Sequence, residues 1–221
     1  MDELDSEIRN VWREIVASIP ASSWKDQVLK YAAHAWELHN SVRILSNAGH
    51  KLAVIVLLRS LFERVLIIDQ MTNPAIPNKE QEFADWGKKQ VYELSQAFQP
   101  DTKWETEYQA ANARWKKGQW NQKISQLYEN SRLSKLLREQ GPGAELYETF
   151  YKLACTHSHG DPASAILLED LPLTEDLDED QMLSVVLIAA MMFLVQDGFG
   201  LHLENRLDEL GPLIAGFTSG N

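Results

Sequence analysis

Arg59 and Glu63 stand four residues apart in Leu57-Leu58-Arg59-Ser60-Leu61-Phe62-Glu63, so on a helix their side chains leave from neighbouring positions on one face. A guanidinium oriented by a carboxylate can clamp an anion, because its planar fork matches paired carboxylate or phosphate oxygens. The plainer reading is a half-exposed ion pair, a kind that contributes little to stability. A second group lies far along the chain: Tyr147, Tyr151, Cys155, His157, His159 and Asp161. Tyr151, Cys155 and His159 recur every four residues and share one helical stripe. Near a helix C-terminus the dipole favours a protonated imidazole, which suits His159 to bind an acidic group or donate a proton. The same position equally suits a histidine that bonds the last carbonyls.

Other patterns carry less. His157, His159 and Asp161 with Glu63 would give ligand atoms, but two histidines two residues apart do not form a specific metal pattern, and no metal or cofactor is expected. Cys155, beside Ala154, reads as a small buried hydrophobe rather than a nucleophile. Arg43 and His50 fit the loose Arg-x4-6-His pattern of the HEPN ribonucleases, and resemblance to them implies metal-independent RNA cleavage. Here, however, the pair straddles Asn47-Ala48-Gly49, a helix break. Arg114-Trp115-Lys116-Lys117-Gly118-Gln119-Trp120 interleaves cations with indoles and could stack on bases. Tryptophans anchoring a loop under solvated lysines explain it as well.

The elements that must position these groups read as helices throughout. Leu4, Ile8, Val11, Trp12, Ile15 and Val16 recur at steps of three and four, predicting a helix that ends at Pro20. Ser22 or Ser23 starts a longer one through Trp24, Val28, Ala32, Ala35, Leu38 and Val42, stopping at Asn47 to Gly49. From about 50 to 71 the chain is apolar on nearly every side except at Arg59, Ser60, Glu63, Arg64 and Asp69, which predicts a central helix. After Asn73-Pro74 and Ile76-Pro77, more polar helices over 80–98, 104–115, 124–129 and 133–138 suggest a peripheral lobe spanning about 78–140. A helix bearing Leu146, Phe150 and Leu153 follows Gly141-Pro142-Gly143 and ends near Gly160. Acidic residues 168–180 read as an exposed connection to a last helix from Gln181 to about Leu210, bent by Gly198 and Gly200. No strand alternation, internal repeat or phosphate-binding glycine loop is present. The expected fold is all-α: one helical bundle over 1–221 around the apolar helix at 50–71.

Composition bounds the function classes. At 221 residues, 44% hydrophobic and 24% charged, the chain can bury a sizeable core. A single cysteine permits no internal disulfide, and Met1 to Asn10 carries four acids and no apolar run, so a reducing, cytoplasmic setting is expected. The runs 52–58 and 182–195 fall short of a bilayer span and read as buried helices, so no membrane partner is expected. A net charge of −11 disfavours a broad nucleic-acid surface without excluding a small basic patch.

Arg59-Ser60-Leu61-Phe62-Glu63, Trp120 before a short helix, and Tyr147, Tyr151 and His159 in a Tyr-x3-small-x3-His pattern resemble the bacterial domain-of-unknown-function 5677 family over about residues 35–165. The resemblance implies an all-helical fold with Arg59, Glu63, Trp120, Tyr151 and His159 as its polar motif positions. Cys155 stands where serine is expected, and His157 adds a second imidazole. The leading expectation is an accessory or defence-type protein whose pocket, with Arg59, Glu63, Trp120, Tyr147, Tyr151, His157 and His159, binds an anionic or nucleotide-like ligand. The enzyme alternative is an HEPN-like ribonuclease using Arg43 and His50, or Arg59 and His159. The third reading is an interaction module for a protein partner or a second copy.

Overall fold

The 3.6-residue apolar rhythm of the sequence becomes helix in the computed structural model, which describes residues 2–98, 103–115, 124–139 and 177–201. Among the described residues there are eight helices and no strand: α1 (Asp2–Ser18), α2 (Ser23–Asn47), α3 (Lys51–Thr72), α4 (Lys79–Phe98), α5 (Lys103–Trp115), α6 (Ile124–Glu129), α7 (Arg132–Glu139) and α8 (Leu177–Gly198). The protein is all-α.

Local chemistry sets the boundaries. Ser22 Oγ accepts from the Lys25 amide at 3.0 Å and starts α2. Lys25 also donates its ammonium to the Ile19 and Val16 carbonyls at 2.7 and 3.1 Å, satisfying the end of α1, whose last turn carries no basic residue. Gly49, at φ 76°, supplies the left-handed residue that ends α2, and the His50 amide reaches back to Leu45 O. Asn73 closes α3, its Oδ1 accepting from the Ala75 amide at 2.9 Å just past Pro74.

α2, α3 and α8 pack on one another as the centre, and α1 lies against them. α2 presents Val28, Ala32 and Ala35, small enough for close approach; α3 contributes Leu61, Phe62, Val65, Leu66 and Ile68; α8 contributes Leu187, Ile188, Met191 and Leu194, all essentially buried. Each such large side chain contributes roughly 1.5–3 kcal/mol relative to exposure. α3 is therefore central as the sequence suggests, but it shares that place with α8. The polar stretch after α3 divides in two. α4 and α5 form a hairpin, with Tyr92 and Tyr108 stacked at 4.0 Å and Phe83 set edge-on to Trp24 and Tyr31. The α6–α7 turn instead enters the main core, setting Tyr128 against Phe62 and adding Leu133 to the same buried cluster.

The last helix departs from expectation at both ends. It begins at Leu177, four residues before the predicted start. It terminates at Gly198 rather than bending there, and Gly200 follows at φ 64°. The expected continuation to 210 lies outside the described residues, as does the helix expected around 146–154. α8 is also longer than its apolar run: Asp180–Gly198 is long and apolar enough to cross a membrane by length and composition, yet 61% of it is buried within this fold. It serves as a core helix here.

Candidate functional site

Arg59 and Glu63 occupy the middle of α3, and neither is fully buried. Arg59 Nε donates to Glu63 Oε1 at 3.1 Å, with side chains 18% and 32% exposed. The pair is thus neither a loose surface contact nor a sealed core bridge. Ser60 beside it turns its hydroxyl back onto Val56 O at 3.0 Å. Arg64, five residues on from Arg59, serves otherwise: its guanidinium lies 4.8 Å from the Tyr31 ring centre, clamping α3 to α2. Burial, opposed by Arg64, raises the Tyr31 phenol above its ordinary range.

Trp120, Tyr147, Tyr151, Cys155, His157, His159 and Asp161 lie outside the described residues. Arg43 and His50 are both placed. Arg43 sits in the last two turns of α2 with Nη1 2.9 Å from Asp5 Oδ2 of α1. His50 is the exposed residue ahead of α3 and lines a shallow apolar groove with Leu45, Lys51, Leu52, Ala53, Val56 and Leu57. Arg114 is engaged by both oxygens of Asp85, at 2.6 and 2.7 Å, joining α5 to α4. That bond, against burial, holds the Asp85 carboxyl below its usual range.

Two polar clusters were not foreseen. In the first, Asp5 of α1 meets Arg9 at 2.9 Å, Arg43 at 2.9 Å and His39 Nε2 at 3.2 Å, while His39 Nδ1 lies 2.9 Å from Ser184 of α8. Arg9 also donates to Asn40 at 2.6 Å and lies 4.8 Å from the centre of the Trp36 ring. Burial alone would push the Asp5 carboxyl up, but bonds from Arg9 and His39 and the positive charge of Arg43 and Arg9 bring it below the usual value. Burial pushes the His39 imidazole down; Asp5 draws it back in part, and Arg43 and Arg9 add to the lowering. One signal was in the sequence: His39 falls on the buried stripe Val28, Ala32, Ala35, Trp36, Val42, Ser46. Its partners were not legible there, since Asp5 and Ser184 lie 34 and 145 residues away.

In the second cluster, fully buried Asp69 of α3 accepts from Arg132 Nε at 2.8 Å and from the Leu133 amide at 3.0 Å, so it caps α7 from another helix. Arg132 extends to Asp69 O, to Thr72 Oγ1 at 2.8 Å and to Asp197 of α8. Burial pushes the Asp69 carboxyl up, against the pull of Arg132 and the Leu133 amide. Nearby, α8 crosses α3 so closely that a Cβ on Gly198 would stand 2.5 Å from Thr72 Cβ. These contacts make a structural knot at the ends of α3 and α8.

The family model described as "Family of unknown function (DUF5677)" matches residues 26–171, which takes in Arg59 and Glu63 and every residue of the second sequence motif. The chain belongs to this family. Neither the curated proteins nor the solved structures give a match to it. α1 and α8 both fall outside the DUF5677 match, so the Asp5–His39–Ser184 cluster joins the family's α2 to two helices flanking the matched span.

Proposed function

We propose that this DUF5677 protein is an accessory or defence-type protein of the cytoplasm that binds an anionic or nucleotide-like group, with Arg59 as the cation and Glu63 orienting it. Trp120, Tyr147, Tyr151, His157 and His159, in the same family-matched span, complete the proposed site. The observation that supports the reading is the setting of Arg59: a guanidinium only 18% exposed, steered through Nε by Glu63, on a helix whose neighbouring turns are buried core. Glu63 offsets part of the solvation cost of a cation held there and fixes the plane of its guanidinium, whose fork matches the paired oxygens of an anion.

Thermal unfolding with inorganic pyrophosphate and with ATP tests the reading. A ligand present at one hundred times its Kd stabilises by about 2.7 kcal/mol, a rise of several degrees for a chain of this size. Arg59→Gln is expected to abolish that rise while leaving the unliganded melting temperature within a few degrees of the native one. No rise with either probe, or an equal rise in Arg59→Gln, removes the proposal. The protein-partner reading has its own support in Ile44 and Leu52, 67% and 50% exposed beside the apolar groove at the α2–α3 turn.

A further inference from the structure

Residues 38–62 contain none of the chain's 32 acidic side chains, although the whole carries a net charge of −11. The stretch forms the end of α2, the turn at Gly49 and the first half of α3. Residues 47–53, at its centre, are all exposed. The shallow groove lies here, about 630 Å³ in volume, lined by apolar side chains from Leu45 to Leu57 and by His50 and Lys51. Its floor is firm, because Leu45 and Leu57 pack on the buried trio Val42, Val54 and Leu58. Leu52 in the lining is 50% exposed, and Ile44, next to Leu45, is 67% exposed. Apolar side chains gathered on the surface in this way mark a contact surface.

The electrostatics of the turn are one-sided. α3 opens with no acidic residue in its first turn and no side-chain cap from His50, so its own residues leave the positive end of its dipole unopposed beside the groove. Lys51 adds an ammonium, one already engaged with a neighbour. Asp180 of α8 is brought toward the turn by Gln181, whose amide donates to Asn47 at 2.9 Å, but it too has a partner. The dipole and the acid-free lining therefore set the sign as much as Lys51 does. Shape selects a helix. Leu52, Ala53, Val56 and Leu57 recur one turn apart on α3 over a rise of about 7.5 Å, and small Ala53 leaves a trough that takes the ridge of another helix.

We propose that the α2–α3 turn docks an amphipathic helix of a partner protein, its apolar residues seated against Ile44, Leu52 and Leu57 and its acidic flank meeting Lys51 and the start of α3. A second copy presenting the same turn would set two helix N-termini and two lysines face to face. An anionic bilayer would meet Lys51 but also a chain of charge −11. The proposal deepens the protein-partner reading and does not rest on Arg59. So small a surface gives a weak, salt-sensitive complex.

A displayed library of peptides about sixteen residues long, randomised among Leu, Phe, Ala, Ser, Gln, Glu and Lys, tests the groove on the full chain. Selected binders are expected to carry large apolar residues at steps of three and four and a net negative charge. Their affinity, read by fluorescence anisotropy, should fall as salt rises from 50 to 500 mM. Ile44→Ser/Leu52→Ser should weaken the same peptides at least about tenfold. Its melting temperature should stay within a few degrees of the wild type, since both side chains are exposed. Lys51→Glu gives a second reading: it should weaken the acidic peptides and shift selection toward Lys-flanked ones. No nucleotide enters the assay, so the result stands apart from that at Arg59. No binders, basic binders, or unchanged affinity in the double variant would each overturn the proposal. So would a dimer that dissociates in the double variant, or binding to phosphatidylglycerol vesicles that the double variant loses, because each names a different occupant.

Discussion

Asp69→Ala removes the carboxylate at which α3, α7 and α8 are tied. Three consequences can be sized from the geometry. Arg132, 19% exposed, loses its shortest contact with Asp69, and breaking a buried pair from one side costs about 3–5 kcal/mol. The Leu133 amide loses its cap, a change costing about 1 kcal/mol. Against these, Asp69 no longer needs desolvation, and Arg132 keeps Asp69 O, Thr72 and Asp197. The net expectation is a loss of about 3 kcal/mol, or roughly 6–12 °C in melting temperature for a protein of this length. Asp69→Asn, which retains one acceptor, should fall about halfway. In urea unfolding the double variant Asp69→Ala/Arg132→Met should cost less than the two single changes together by about 1–3 kcal/mol, since the second change removes the stranded cation. A loss under 1 kcal/mol for Asp69→Ala, or strict additivity in the cycle, would refute the view of this cluster as a knot.

Gly198→Ala should destabilise by about 1–3 kcal/mol in the same assay, because the added methyl meets the Thr72 backbone, which cannot rotate away as a side chain would. Arg114→Gln should speed amide exchange in α4 and α5 while leaving α2 and α3 protected, since Asp85 loses the paired bond joining the hairpin. Ser22→Ala should cost about 1 kcal/mol, the worth of one N-cap, measured by thermal unfolding. Arg59→Gln should leave the fold intact and remove stabilisation by pyrophosphate and ATP, because its Glu63 partner remains 32% exposed and wet.

Helix identity was determined by the sequence because its causes are local. The apolar steps through Leu4, Ile8, Val11 and Ile15, the Ser22 cap, Gly49 and Asn73-Pro74 act within a turn or two, and α1, α2 and α3 accordingly lie within a residue or two of where the pattern puts them. The Arg59–Glu63 pair was legible for the same reason, since four residues on a helix are neighbours in space. α8 marks the limit of local reading: residues 177–180 read as a connecting loop by composition, yet the helix already includes them. Only the tertiary structure decided that Asp5, His39, Arg43 and Ser184 converge, that Asp69 caps a helix more than sixty residues away, and that Gly198 must be bare. Such contacts join residues whose separation in sequence carries no periodic trace, and burial rather than spacing turns ordinary polar side chains into partners that need one another.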